Sequence, residues 1–424
     1  MQFSKKVLEN GITLLTVPMP SLSSVTLTVW VKTGSRNETE KNNGISHFLE
    51  HMLFKGSQKR PTAKDISEVI DGIGGEFDAG TAKDYTNYYV RCRNNDLETA
   101  FDVLSDMVIN PILSEKEIER EKGTIVEEIR MYEDTPMMKI GDVFEELIYS
   151  GSSLGMDIAG TEKTVKSISR NDFISYRKDH YHIENIIISA VGGVSETQVI
   201  KLTEKYFKKM PIIHTKNLYA KSFENRQIKP QIKLHNKKKE QAHVIFGFLA
   251  DGKNYKNKYA QTLLSTVLGG GMSSRLFLEV RERRGLVYSI RTSMDRYEDI
   301  GYLGTYAGLD TKKAVEAVKV MIDQHYQLKN KLRVTSDELT KAKEFLKGHL
   351  ALALEDTRDV TSFFTDQALF SAEILTPSQV FNKIDQVKIE EITAEAKRLF
   401  VPERLNLAII GPYENDREFK AILS

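Results

Sequence analysis

What most constrains the fold of this chain is that it repeats itself. Tyr181-His182-Ile183-Glu184-Asn185 and Phe400-Val401-Pro402-Glu403-Arg404 each lead into an apolar strand that ends in glycine, at Gly192 and at Gly411. The offset is 219 residues between the glycines, and the same between Glu184 and Glu403. Residues 241–252 match 23–34 in character, a strand run closed by a turn glycine. Thr335-Ser336-Asp337-Glu338-Leu339 opens a long helix, as Ser114-Glu115-Lys116-Glu117-Ile118 does. At 424 residues the chain also exceeds one ordinary core. The sequence therefore predicts an α+β protein of two similar, duplicated domains, each a mainly antiparallel sheet packed with helices. The first domain is expected at 1–209 and the second at 231–424; residues 210–230 lose periodicity and gain polar residues, as a linker does.

Local signals fill in the first domain. Residues 3–8 and 12–17 flank Glu9-Asn10-Gly11, and Asn-Gly is a strong hairpin signal. Over 24–33, Val25, Leu27, Val29 and Val31 alternate with threonines and Trp30, the period of a strand. Thr62 caps a helix over 62–73, with Ile66, Val69, Ile70 and Ile73 on one face and glycines at its end. Strands follow around 76–81 and 85–93, then a helix from Asp96 to Ile109. Ser114-Glu115-Lys116-Glu117 is a capping box for a helix reaching Glu133. Further helices are expected near 137–149, 170–181 and 195–208, with a buried strand at 186–191.

The polar loop 34–43 delivers the chain into Gly44-Ile-Ser-His47-Phe-Leu-Glu50-His51-Met-Leu-Phe-Lys55. On a helix, His47, Glu50 and His51 fall on one side, while Ile45, Phe48, Leu49, Met52 and Leu53 cover the faces that pack inward. Two imidazoles one turn apart can bind a single tetrahedral zinc, with the carboxylate beside them able to act as a general base. The order His-x-x-Glu-His inverts the His-Glu-x-x-His of other zinc enzymes and is itself a known signature. A catalytic zinc needs a third protein ligand and an open position. The helix carrying Glu121, Glu127 and Glu128 is the best source: Glu121 and Glu128, two turns apart, share a face, and Glu127 points about a quarter-turn away. Spacing leaves the choice among the three open.

At the repeat offset His47 falls near Ser265 and His51 near Gly269, so the second domain carries no metal ligands there. Leu268-Gly269-Gly270-Gly271-Met272-Ser273-Ser274-Arg275 lacks the Lys-Ser/Thr ending of a phosphate-binding loop and reads as a flexible or close-approach loop. Lys+Arg 60 against Asp+Glu 59 gives no charge bias toward nucleic acid or an anionic membrane. Cys92, the only cysteine, excludes an intrachain disulfide and a thiolate metal site. The N-terminus shows no apolar run with a cleavage site, and no apolar stretch approaches the ~18 residues of a membrane span. A cytoplasmic protein is the simplest expectation, with a mature chain after loss of a targeting segment as the alternative.

His47-Phe-Leu-Glu50-His51, followed by Met-Leu-Phe-Lys-Gly, resembles the pitrilysin/insulinase family of zinc peptidases, and most of all its mitochondrial-processing-peptidase-like branch. The resemblance runs in order along nearly the whole chain. It implies a third zinc ligand after a gap of about 76 residues, which selects Glu128, with Glu121, seven residues earlier, supporting the site from behind. Leu154-Gly155 and Gly160-Thr161 are similar to a further family segment. Arg281-Glu-Arg-Arg-Gly-Leu-Val-Tyr288 resembles the family's Arg and Tyr that reach substrate near zinc; by themselves these residues read as a salt bridge and a core tyrosine. The strand that pairs with substrate is commonly Asn-Ala in the family, and here it is Asp78-Ala79-Gly80-Thr81. The added carboxylate is expected to favour basic peptides; cleavage of differently charged peptides by Asp78→Asn tests this, and an unchanged preference would sink it.

The resemblance thus implies a zinc-dependent endopeptidase acting on peptides or unfolded protein segments. One zinc ion per chain would sit on His47, His51 and Glu128, and Glu50 would take a proton from water and pass it to the leaving amine. Tyr288 would stabilise the oxyanion and Arg281 would hold the substrate. An extended peptide would add as a strand along 78–81. Longer relatives enclose substrate between four such domains, so this two-domain chain is expected to pair, as a homodimer or else a heterodimer, with Arg281 and Tyr288 of one subunit facing the zinc of the other. The competing class is a non-catalytic assembly or scaffold subunit, or a peptide-binding protein, on the same fold. That class predicts eroded ligands, and His47, Glu50, His51 and Glu128 are all present.

Overall fold

The computed structural model describes residues 1–210, 222–330 and 333–423. The chain divides into two compact units, one within Met1–Met131, Met156–Lys221 and Ala353–Thr376, the other within Tyr132–Gly155, Ser222–Leu352 and Pro377–Ser424. Of the linker expected at 210–230, residues 211–221 lie outside the described residues.

The first unit holds β1 (Ser4–Val7), β2 (Thr13–Pro18), β3 (Ser24–Val31), β4 (Glu76–Thr81), β5 (Thr86–Arg93) and β6 (Ile186–Gly192). The second holds β7 (Gln231–Asn236), β8 (Gln241–Asp251), β9 (Val287–Arg296), β10 (Ile300–Asp310) and β11 (Asn406–Gly411). The first sheet has the order β1-β2-β6-β3-β5-β4, the second β7-β11-β8-β10-β9. Without the extra edge strand β1, the two orders coincide strand for strand. Each sheet has one parallel pair, β2 with β6 and β7 with β11, among antiparallel neighbours. A duplicated α+β fold is what the repeat predicted.

Alternation along β3 places Val25, Leu27, Val29 and Val31 in a core shared with the helices Ile45–Leu53, Ala63–Gly72 and Leu97–Ile109. The helix Ala63–Gly72 opens on a capping box between Thr62 and Asp65. Thr26, Thr28 and Trp30, on the opposite face of β3, are buried as well. Their cover is the helix Thr357–Phe370, from the far end of the chain. The Thr26 and Thr357 hydroxyls meet at 2.7 Å, and the fully buried Phe364 packs against Phe3 in a tilted ring pair at 5.1 Å.

The second unit uses the reciprocal arrangement. The helix Pro136–Ile148, from the first half of the sequence, places Ile140, Val143, Phe144 and Ile148 against Tyr302, Ala408 and Ile410. Gly247 in β8 makes room: a Cβ there would stand 3.0 Å from the Phe144 ring. The two helices hold corresponding places in the repeat, and each covers the sheet built from the other half of the sequence.

The glycines after Leu268 serve close approach. A Cβ on Gly269 would meet Thr292 Oγ1 at 2.4 Å, so the end of the helix Lys258–Gly269 lies directly on β9. That helix is the counterpart of Ile45–Leu53, and it contains no His, Asp, Glu or Cys.

Candidate active site

The helix Ile45–Leu53 starts at Gly44, whose φ of 95° is left-handed and whose residue offers no capping side chain. The cap comes from Glu38. Its Oε2 accepts from the Gly44 amide at 2.7 Å and from Asn43 Nδ2 at 3.0 Å, and its Oε1 accepts from the Ser46 amide at 2.8 Å. A carboxylate there satisfies first-turn N–H groups and opposes the positive end of the helix dipole. The loop was expected to be polar, yet Arg36 and Glu38 are both buried, with Arg36 paired to Asp84 at 2.7 Å. Burial pushes the Glu38 carboxyl up, and its donors from Ser46, Gly44 and Asn43 pull it back.

Gly160 explains the segment that had only a family resemblance to account for it. A Cβ on Gly160, at φ 77°, would lie 2.5 Å from the Asn43 carbonyl and 2.9 Å from Gly44 Cα. Two left-handed glycines therefore face each other and clamp the helix start against 157–160, where Asn43 Nδ2 also donates to the Asp157 carbonyl at 2.8 Å.

The helix buries Ile45, Phe48, Leu49, Met52 and Leu53, with Phe48 edge-on to Phe173 at 4.9 Å. The other side turns His47, Glu50 and His51 toward the helix Glu115–Asp134. His47 Nε2 and His51 Nε2 are 3.2 Å apart, and the Glu128 carboxylate lies 3.7 Å from the first and 3.6 Å from the second. These three side chains form the one group of metal-ligand type among the described residues, with donor atoms within 4.8 Å of one another. The competition on the acidic helix resolves by facing. Glu127 is exposed and pairs with Arg130 at 2.7 Å, while Glu121 reaches His51 from behind.

Glu121 Oε1 accepts from His51 Nδ1–H at 2.9 Å, and its Oε2 pairs with Lys55 at 2.8 Å. That bond selects the tautomer whose Nε2 lone pair points at His47 and Glu128. Lys55 is a member of this arrangement that the sequence reading passed over, although its i+4 spacing from His51 was a signal for it. His47 Nδ1, by contrast, is buried with no hydrogen-bond partner among the described residues.

Does a zinc ion fit these residues? Tetrahedral coordination with Zn–N of 2.0–2.1 Å sets ligand atoms about 3.3 Å apart, close to the separations found. Two imidazoles and one carboxylate are the donor set of an open, catalytic site. The residues fit the ion. Burial, then the neighbouring His51, push the His47 imidazole down to about 4, so it is neutral near pH 7; burial also works against a charged His51, but its hydrogen bond to Glu121 and the surrounding carboxylates hold that imidazole above its ordinary value.

Glu50 is held in place. The Thr81 hydroxyl donates to Glu50 Oε2, and burial raises the carboxyl's proton affinity above the usual carboxylate range. Thr81 ends β4, the edge strand that also carries Asp78, Ala79 and Gly80. Phe77 and Ala79 face inward to the core, and Asp78 points outward, its carboxylate accepting from the Ala79 amide at 2.9 Å.

Arg281 and Tyr288 belong to the second unit, and neither takes the plain structural role of salt bridge or core tyrosine. Arg281 stacks its guanidinium over Phe277 at 4.8 Å, on a turn of wider helix, Phe277–Glu282, and makes no ion pair among the described residues. Tyr288 is exposed. It is the extra residue of a β-bulge, since Ser289 pairs with Gly308 and Val287 with Leu309. A bulge re-aims a side chain away from the strand's normal alternation.

Fold and cluster together define a duplicated α+β protein in which, among the described residues, only the first unit carries a candidate zinc site. Residues 14–162 match the family described as Insulinase (Peptidase family M16), and 167–346 match the Peptidase M16 inactive domain. The chain is 36% identical to an uncharacterized zinc protease of Bacillus subtilis, over 96% of this chain and 98% of that protein. It is 34% identical to an uncharacterized zinc protease of Streptomyces coelicolor, over 97% and 90%. A protease from Helicobacter pylori superposes with a TM-score of 0.90 at 22% identity, covering 97% of this chain and 100% of that one. The chain belongs to peptidase family M16, the insulinase/pitrilysin family. The span matched to the inactive domain includes the helix Lys258–Gly269, which contains no His, Asp, Glu or Cys. Among the described residues, no helix is long and apolar enough to cross a membrane.

Proposed function

We propose that this protein is a zinc-dependent endopeptidase of peptides and unfolded protein segments, binding one zinc ion per chain through His47, His51 and Glu128. The observation that carries the reading is the convergence of those three donors beside Glu50, on a helix start held by Glu38 and Gly160. Bound zinc would supply the Lewis acidity that makes water a nucleophile near neutral pH and polarises a carbonyl. Glu50 does the proton work: with Oε2 engaged by Thr81, Oε1 takes the proton of the attacking water and returns it to the leaving nitrogen. The free edge of β4 lines up an extended peptide through main-chain hydrogen bonds, with Asp78 outward beside it. Arg281 and Tyr288 engage the substrate backbone and the developing oxyanion from a second copy, so the active species is a homodimer.

Incubation with a mixed peptide library, read by mass spectrometry, tests this. Wild type should cut, and both chelator and Glu50→Gln should abolish cutting, the latter by about a hundredfold or more while zinc stays bound. Zinc bound without cleavage of any peptide would favour a non-catalytic subunit. Absence of zinc binding would remove the proposal's first step.

A further inference from the structure

We infer that Thr81 is a positioning residue for Glu50, linking the edge strand that would receive substrate to the group that would move the proton. The inference rests on the peptidase reading above.

On β4 the inward face is Phe77, Ala79 and Thr81. The first two are ordinary core contacts, with the Phe77 ring 5.6 Å from that of Phe54. The third breaks the apolar pattern with a hydroxyl, and that hydroxyl reaches Glu50 Oε2. A glutamate on a helix has three side-chain torsions, so its carboxylate sweeps a wide arc unless something holds it. Thr81 removes that freedom: one oxygen is tethered and the other has its direction fixed.

The tether is itself rigid. Thr81 pairs with Thr86 in the β4–β5 ladder, and Thr86 is fully buried with its hydroxyl on the Thr33 carbonyl at 3.0 Å. The hairpin closes one residue later, the Ala82 amide donating to the Tyr85 carbonyl at 2.8 Å. Ser35 clips it from outside, its amide on the Ala82 carbonyl at 3.1 Å, and Gly34 allows that approach, since a Cβ there would sit 2.1 Å from the same oxygen. Threonine's branched Cβ narrows χ1, so the hydroxyl does not wander. A peptide adding to the other edge of β4 would stiffen the same strand. Binding and proton transfer would then share one mechanical element.

The test uses full-length, zinc-loaded protein and a fluorogenic peptide built on a sequence that wild type cuts. Thr81→Val keeps shape and loses the donor; Thr81→Ser keeps the donor. Thr81→Val should lower kcat about ten- to hundredfold with KM and bound zinc within about twofold of wild type, and Thr81→Ser should recover most of the loss. A rise in KM at unchanged kcat would make Thr81 a substrate contact and overturn the inference. Loss of zinc, or a serine variant as poor as the valine one, would overturn it by showing a packing role. If wild type itself cuts no peptide, the peptidase reading fails, and the zinc titration and library digest report that separately.

Discussion

Glu121 stands behind His51, and replacing it isolates what that support contributes to metal binding. Glu121 is only 2% exposed, with one carboxylate oxygen on His51 Nδ1 at 2.9 Å and the other on Lys55 at 2.8 Å. Loss of a hydrogen-bonded partner behind a metal-binding histidine weakens metal affinity by about 10- to 100-fold, or ~1.4–2.7 kcal/mol. Glu121→Gln still presents an oxygen to the Nδ1–H but leaves the Lys55 ammonium facing an amide, so it belongs near the tenfold end of that range. Glu121→Ala removes the acceptor altogether, frees the imidazole to take the wrong tautomer, and belongs near the hundredfold end. Competition for zinc against a chromophoric chelator at fixed pH measures both, with thermal unfolding in excess chelator to check the fold. If both variants bind zinc within about threefold of wild type, the argument that Glu121 fixes the His51 tautomer is wrong.

Two further outcomes follow from the same geometry. Gly160→Ala drives a Cβ to 2.5 Å from the Asn43 carbonyl at a φ of 77°, so it should cost about 1–3 kcal/mol in denaturant unfolding. It should also weaken zinc binding, because the start of the motif helix moves. His325 is fully buried, donating Nδ1–H to the Met321 carbonyl at 2.8 Å while Nε2 lies 3.1 Å from the Thr305 hydroxyl, and burial pushes it down to about 4. Between its ordinary value of 6.5 and about 4 the unfolded chain takes a proton that the native chain refuses, so stability falls as pH drops through that window and is flat above it. The contribution reaches ~3 kcal/mol at the acid end; a His325→Gln variant whose unfolding free energy keeps the wild-type pH slope would refute it.

The motif helix and the shared face of His47, Glu50 and His51 were legible because spacing on a helix is a local property: four residues separate His47 from His51 in any fold. Spacing alone did not single out Glu128, which only the family resemblance selected. Glu121, Glu127 and Glu128 differ only in which way the acidic helix faces, and tertiary packing decides that. Periodicity found β3 and the inward set Val25, Leu27, Val29 and Val31, but it could not show that the threonine-and-tryptophan face would be covered too. The cover comes from the helix Thr357–Phe370, more than three hundred residues further along. Glu38 was hidden for a different reason. A charged residue in a polar loop reads as solvated, and only the folded chain shows three amide donors turned on it. The repeat itself was visible because strand order is inherited with the sequence, and apart from the added edge strand β1 the two sheets agree position by position.

The exchanged helices have a bearing on how such a chain comes into being. When the first half leaves the ribosome, it holds His47, His51 and Glu128 but a sheet with one bare face, and the helix that closes that face has yet to be translated. The helix it has already made, Pro136–Ile148, is waiting for strands that do not exist yet. Each half lacks the helix that covers its own sheet, so a scission between Tyr206 and Gln231 would yield two polypeptides that each lack a wall. Folding therefore has to conclude after synthesis is nearly over, and the order in which the parts are made is not the order in which they are sealed.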